Sequence, residues 1–185
     1  MSINKDIYAI VEQQIRKIDA SREGPRRAAL AKLRRGTGKP PGATPEIWEM
    51  TIGALPEDAG EYAENAIHIA LTLYATHKQG TSINGLHGGN LGYAVTFLKN
   101  ADSNAALTKR FNTAITSPTI EELETHIRPL VKMLKTKGID LNYPKLAEDL
   151  YFWQFESTKE KICLEWGRSY WKANNREKQE ENKNE

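Results

Sequence analysis

Ala63-Glu64-Asn65-Ala66-Ile67-His68-Ile69-Ala70-Leu71-Thr72-Leu73-Tyr74 is the stretch that decides the fold. Ala63, Ala66, Ile67, Ala70, Leu71 and Tyr74 recur at helical spacing, and Ile69 and Leu73 make the adjoining face apolar as well. A helix that is apolar over more than one face has to be covered from several sides, so this one is expected at the centre of the molecule. His68 stands four residues from both Glu64 and Thr72 and is expected on the polar edge of that helix.

Outward from this centre the spacing stays helical. Ile7, Ile10, Val11, Ile15 and Ile18 make one face of a first helix. Gly24-Pro25 ends that region, and Pro25 suits the first turn of a second helix reaching Arg35. Gly36-Thr37-Gly38-Lys39-Pro40-Pro41-Gly42 is a loop, after which Thr44-Pro45 reads as the cap and first position of a short helix through Trp48. A second glycine-rich loop (Gly80, Gly85, Gly88, Gly89) precedes Leu91–Leu98, read as a helix. Thr119-x-x-Glu122 is a capping box for a helix ending at Gly138, with Pro129 expected to kink or split it. Asn142-Tyr143-Pro144 opens another helix, and a last one carries Ile162, Cys163, Trp166 and Tyr170. An all-α helical bundle follows, or two small bundles joined near the glycine-rich loop: residues 1–80, then 90–173, then a polar tail over 174–185 expected to be disordered.

The 185 residues carry 26 Lys+Arg against 24 Asp+Glu, yet the charges are segregated. Arg22 to Lys39 holds seven bases against Glu23 alone, a balance of +6; Pro40 to Ala75 holds six acids and no Lys or Arg; Lys109 to Lys137 stands at +3. Either these blocks gather as cationic patches on a near-neutral molecule, or they neutralise one another across the fold. One cysteine excludes an internal disulfide, no stretch approaches the ~20 apolar residues of a membrane helix, and Met1–Asp6 lacks the build of a signal peptide. A cytoplasmic protein without a membrane partner is expected.

Catalytic assemblies fail on their missing parts. His87-Gly88-Gly89-Asn90 resembles an esterase oxyanion loop without the Gly-x-Ser-x-Gly elbow that such chemistry needs. Gly36-Thr37-Gly38-Lys39 is followed by Pro40, where a phosphate loop has Ser or Thr. His68, His77, His87 and His126 lack metal-ligand spacing, Cys163 falls on an apolar helical face, and acid pairs such as Glu121/Glu122 suit helix N-termini. No enzyme, metal or cofactor is expected. What remains is cationic. Arg27 and Arg34 share a face of the second helix with Arg35 alongside and Lys39 in the loop beyond, while Arg128, Lys132 and Lys135 recur at i, i+4 and i+7. Such side chains suit a phosphate backbone gripped without reading bases. Pairing within the helix, as Glu124 with Arg128, is the competing reading. Tyr151-Phe152-Trp153 with Phe155 is assigned to the core.

Four blocks then occur in order: Leu30-Ala31-Lys32-Leu33-Arg34-Arg35-Gly36 with Trp48 beyond it; Leu71 and Tyr74-Ala75-Thr76-His77-Lys78-Gln79-Gly80; Asn90-Leu91-Gly92-Tyr93-Ala94-Val95; and Lys109-Arg110-Phe111 leading to His126-Ile127-Arg128-Pro129-Leu130-Val131 and Gly138-Ile139-Asp140-Leu141-Asn142-Tyr143. In that order and spacing the chain resembles the CasB small-subunit family of type I-E CRISPR Cascade surveillance complexes, from about Arg26 to about Tyr170. The resemblance implies an all-helical, non-catalytic subunit present as a head-to-tail pair. It would pack on the backbone subunits that coat the guide RNA and on the large subunit. Its basic surface would help hold the R-loop of guide RNA and target DNA, above all the displaced non-target strand. Carried onto this sequence, Arg34 and Arg35, Lys109 and Arg110, and Arg128 match the family's basic positions. Tyr93 stands where the family commonly has Arg, and Pro129 where its relatives continue the helix.

Overall fold

The computed structural model describes residues 3–100 and 104–181, with side chains for 7–100 and 104–172. Its helices are α1 (Ile3–Ala20), α2 (Glu23–Gly36), α3 (Gly60–Lys78), α4 (Leu91–Thr96), α5 (Ala105–Ile115), α6 (Ile120–Lys137), α7 (Tyr143–Trp153) and α8 (Glu156–Glu181), with single 3-10 turns between α2 and α3. No strand forms among the described residues. Where a disordered polar tail is expected over 174–185, the backbone continues as helix through 174–181, and 182–185 lie outside the described residues.

The central helix is α3. Every residue from Ala66 to Ala75 is buried, with α1, α2, α6 and α7 packed around it. α7 also contacts α1 and α8, α8 carries α4, and α6 pairs with α5, so one apolar core runs from Ile7 to Tyr170. The glycine-rich loop is tied across the fold: the Asp140 carboxylate accepts from the backbone N–H of Gly85 at 2.9 Å and of Asn84 at 3.1 Å. α7 is entered through Asn142, whose side chain accepts from Lys145 N–H, and Leu91–Leu98 is helical as far as Thr96. One half of the α6 capping box forms, Thr119 accepting from Glu122 N–H, and Gly138 closes the helix in the left-handed region at φ 64°.

Three expectations are corrected. His68 is fully buried; its Nε2 lies 3.1 Å from the Gly36 carbonyl, because the end of α2 covers the edge that local spacing leaves polar. α6 runs unbroken across Pro129. Both Pro129 and Thr125, whose carbonyl loses its N–H partner to the proline, are exposed, so the missing bond lies on the solvent side of the helix rather than in the core. Thr44 precedes a 3-10 turn (Pro45–Ile47) and makes no side-chain cap.

α3 also buries His77, whose Nδ1 lies 2.9 Å from the Tyr143 hydroxyl. Burial pushes its imidazole down from the ordinary 6.5 to about 4. Between these values the unfolded chain binds a proton that the folded chain refuses. The contribution is therefore fully present above pH 6.5 and falls by up to about 3 kcal/mol as the pH drops through 4. Urea midpoints measured at pH 7 and pH 4.5 should diverge less for His77→Gln than for the parent; equal divergence would refute the assignment.

Candidate nucleic-acid interface

α2 is amphipathic in a way that aims its bases. Leu30 and Leu33 are buried toward α3, which leaves Arg27 exposed and Arg34 half-buried along the edge. Between that edge and the turn after α3 lies a groove of about 650 Å³, lined by Arg26, Arg27, Arg34, Lys78 and Gln79. Arg27 is paired with Glu23 one turn before it, and Arg35 forms a two-pronged pair with Glu46, both contacts at 2.6 Å. That hydrogen-bonded pair holds the Glu46 carboxyl below the usual carboxylate range and the Arg35 guanidinium above its own. Basic and acidic blocks thus neutralise each other at one point. Arg34 makes no ion pair among the described residues.

The loop after α2 is fastened to α6. Gly38 sits at φ +75°, its N–H donates to Glu124 Oε1 at 2.7 Å, and the Arg128 guanidinium occupies the space a Cβ would need. The left-handed φ favours glycine there, while the Arg128 guanidinium, at the end of a flexible side chain, could move aside. Glu124 is buried, which raises its carboxyl above the ordinary range against the opposing pull of Gly38 N–H and Arg128. Arg128 donates to Thr125 Oγ1 at 3.2 Å, and Lys39 is exposed in the same loop. Further along α6, Lys135 donates to Gln79 Oε1 at 3.2 Å. Gln79 also lines the Arg34 groove, so the α6 row and the α2 edge meet there.

α6 has a second flank. At about 100° per residue, Arg128 and Lys135 border the α2 side, Lys132 faces solvent, and His126, Pro129 and Met133 turn toward α5. Across that flank Arg110 of α5 reaches Met133 Sδ at 3.4 Å, and a hollow of about 490 Å³ is lined by Lys109, Arg110, Thr113, His126 and Pro129. Among the described residues Lys39, Lys109, Arg110, Arg128, Lys132 and Lys135 form no ion pair. Of the nine bases expected to contact nucleic acid, these six and Arg34 form no ion pair among the described residues, although Arg128 lies near enough to pull on the buried Glu124 carboxyl, whereas Arg27 and Arg35 are each paired.

Two groove-lining bases lie outside the expected set, Arg26 and Lys78, and Lys78 is already paired with Asp19 at 3.3 Å. Arg26 shares its helical face with the buried Leu30 and Leu33, which marks it as core-facing, while Lys78 ends the most apolar helix of the chain. Tyr93 is exposed and packs edge-on against Phe97 at 5.1 Å. Cys163 is half-buried, donates to the Ile115 carbonyl, and has its thiol pushed up by burial. No group of His, Cys, Asp and Glu among the described residues could hold a metal ion, and no helix among them is long and apolar enough to cross a membrane.

A family model described as CRISPR-associated protein Cse2 matches residues 29–171. Among solved structures, CasB from Thermobifida fusca is 30% identical and superimposes with a TM-score of 0.76, covering 89% of this chain and 97% of that one. CasB from M. ruber is 20% identical with a TM-score of 0.72, covering 94% and 97%. A chain of a CRISPR RNA-guided surveillance complex is 21% identical with a TM-score of 0.71, covering 91% and 93%. The last two likenesses bear on the fold alone. No curated protein sequence matches this chain.

Proposed function

Because this chain belongs to the CRISPR-associated Cse2 family, we propose that it is a non-catalytic, nucleic-acid-binding subunit of a type I-E CRISPR Cascade surveillance complex. Its role is to help hold the guide RNA–target DNA R-loop and the displaced non-target strand. Its other partners are the backbone and large protein subunits and a second copy of itself, in the cytoplasm. One observation carries the reading: cations from three separate blocks of sequence, Arg34, Lys109/Arg110 and Arg128/Lys132/Lys135, border α6 on both flanks and form no ion pair among the described residues. Opening a duplex against a guide is nearly balanced in free energy, so contacts to phosphate that ignore sequence are enough to tip it.

The Arg27–Glu23 and Arg35–Glu46 pairs favour a second reading, a helical adaptor that contacts only protein. The triple variant Arg34→Gln/Arg110→Gln/Lys135→Gln separates the two. The nucleic-acid reading expects intact assembly and weaker target binding. It also expects a salt dependence shallower by roughly 2 in log–log slope, at about 0.7 per single-strand phosphate lost. Failed assembly with unchanged salt dependence of the residual complex supports the adaptor.

A further inference from the structure

Resting on that reading, we propose that Trp171 is a stacking platform for an unpaired nucleotide of the strand whose phosphates lie on Lys109 and Arg110. Trp171 of α8 is 55% exposed, the largest exposure among the big apolar side chains of the described residues. It stands next to a buried anchor. Its neighbour Tyr170 is fully buried, stacks on Phe111 of α5 at 4.5 Å, and shares a 2.7 Å hydrogen bond with Thr108. The indole meets the Tyr170 ring edge-on at 5.2 Å, with the Lys99 ammonium 5.1 Å from its centre. An indole anchored beside buried Tyr170 and left open to water presents a flat apolar face that suits a planar partner.

The surroundings specify that partner. Trp171 lines a hollow of about 680 Å³ together with Asn104, Thr108, Lys109, Asn112 and Thr113, so the walls offer amides, hydroxyls and a cation, with no acidic residue among the described ones. Amide and hydroxyl groups meet base edges, and the indole meets a base face of any sequence. Lys109 and Thr113 also line the hollow on the other side of α5 that contains Arg110. A single strand crossing α5 can therefore keep its phosphates on Lys109 and Arg110 while a base turns onto Trp171. A double helix, with its bases stacked inward, cannot use the platform.

The test is titration of the full-length chain with oligothymidylate, oligouridylate and an abasic deoxyribose-phosphate strand of equal length. Trp171→Ala is expected to weaken binding of a base-bearing strand roughly 5- to 100-fold without changing its salt slope. Trp171→Phe should restore most of the affinity while abolishing the Trp171 share of the fluorescence quenching, and the abasic strand should bind Trp171→Ala as well as the parent. A loss seen with only one of the two base-bearing strands supports the proposal and identifies the strand as DNA or RNA. If Trp171→Ala binds every strand like the parent while Lys109→Gln/Arg110→Gln binds weakly with a shallower salt slope, the stacking role is overturned and the phosphate reading stands. Equal losses on the abasic strand also overturn it, since they mark a packing defect. Absence of any oligonucleotide binding by the parent at low salt overturns both.

Discussion

Gly92→Ala is expected to destabilise the protein by about 4 kcal/mol, at the high end of single substitutions. Gly92 is buried where α4 crosses α8, and a methyl group there would press on the Trp166 backbone, with its carbonyl carbon at 2.7 Å and its Cα at 3.0 Å. Backbone cannot rotate out of the way as a side chain can, so α4 would have to lift from α8. Lifting it strains a row of bonds that spans the crossing: Asn90 Nδ2 to Ser169 Oγ at 3.0 Å, Thr96 Oγ1 to the Tyr170 carbonyl at 3.3 Å, and Lys99 Nζ to the same carbonyl at 2.9 Å. The damage therefore reaches Tyr170, which mounts Trp171. Gly167→Ala on α8 is the control, since a Cβ there meets nothing within 4 Å and alanine favours a helix over glycine by about 0.8–1 kcal/mol. Urea denaturation should separate the two variants clearly; a Gly92→Ala midpoint matching that of Gly167→Ala would refute the close-crossing account.

Asp149→Ala is expected to cost a similar ~4 kcal/mol, for an electrostatic reason. Asp149 on α7 is fully buried, accepts from Trp166 Nε1 at 2.7 Å, and is paired with Lys145 at 2.8 Å. Burial raises its carboxyl against the pull of Lys145 and Trp166. On Lys145 burial acts downward, but Asp149 and Glu148 outweigh it and hold the ammonium well above its ordinary range. Alanine leaves a buried indole N–H and a half-buried ammonium with fewer partners, the costly way to break such a group. Asp149→Asn keeps an oxygen for Trp166 and should lose about half as much. The double variant Lys145→Met/Asp149→Leu should regain most of the deficit, because removing both charges removes the unpaired one. If single and double variants unfold at the same denaturant concentration, the loss is one of volume and the ion pair carries none of it.

The legible parts of this protein are those set by neighbours within a turn or two. The stripe of α3, the caps at Thr119 and Asn142 and the stop at Gly138 all depend on residues within about four positions, and each is found where spacing places it. The basic faces of α2 and α6 were equally readable. The failures share a cause. His68 looked polar-edged because nothing in its own helix announces that the end of α2 will cover it. Pro129 looked disruptive because its place on the exposed side of α6, where the missing bond is not buried, is a property of how α6 packs.

By itself the sequence determined that the chain is helical, which faces are apolar, where the capped helices α6 and α7 begin, and that its charge falls in blocks, since these follow from side-chain chemistry acting over short separations. Only the tertiary structure decided which cations meet and which are neutralised. Arg35 finds Glu46 11 residues away, Lys135 reaches Gln79 across 56, and Gly38 is clasped by Glu124 across 86. Those separations are closed by helix packing, whose geometry depends on every buried side chain at once, so no local pattern encodes them.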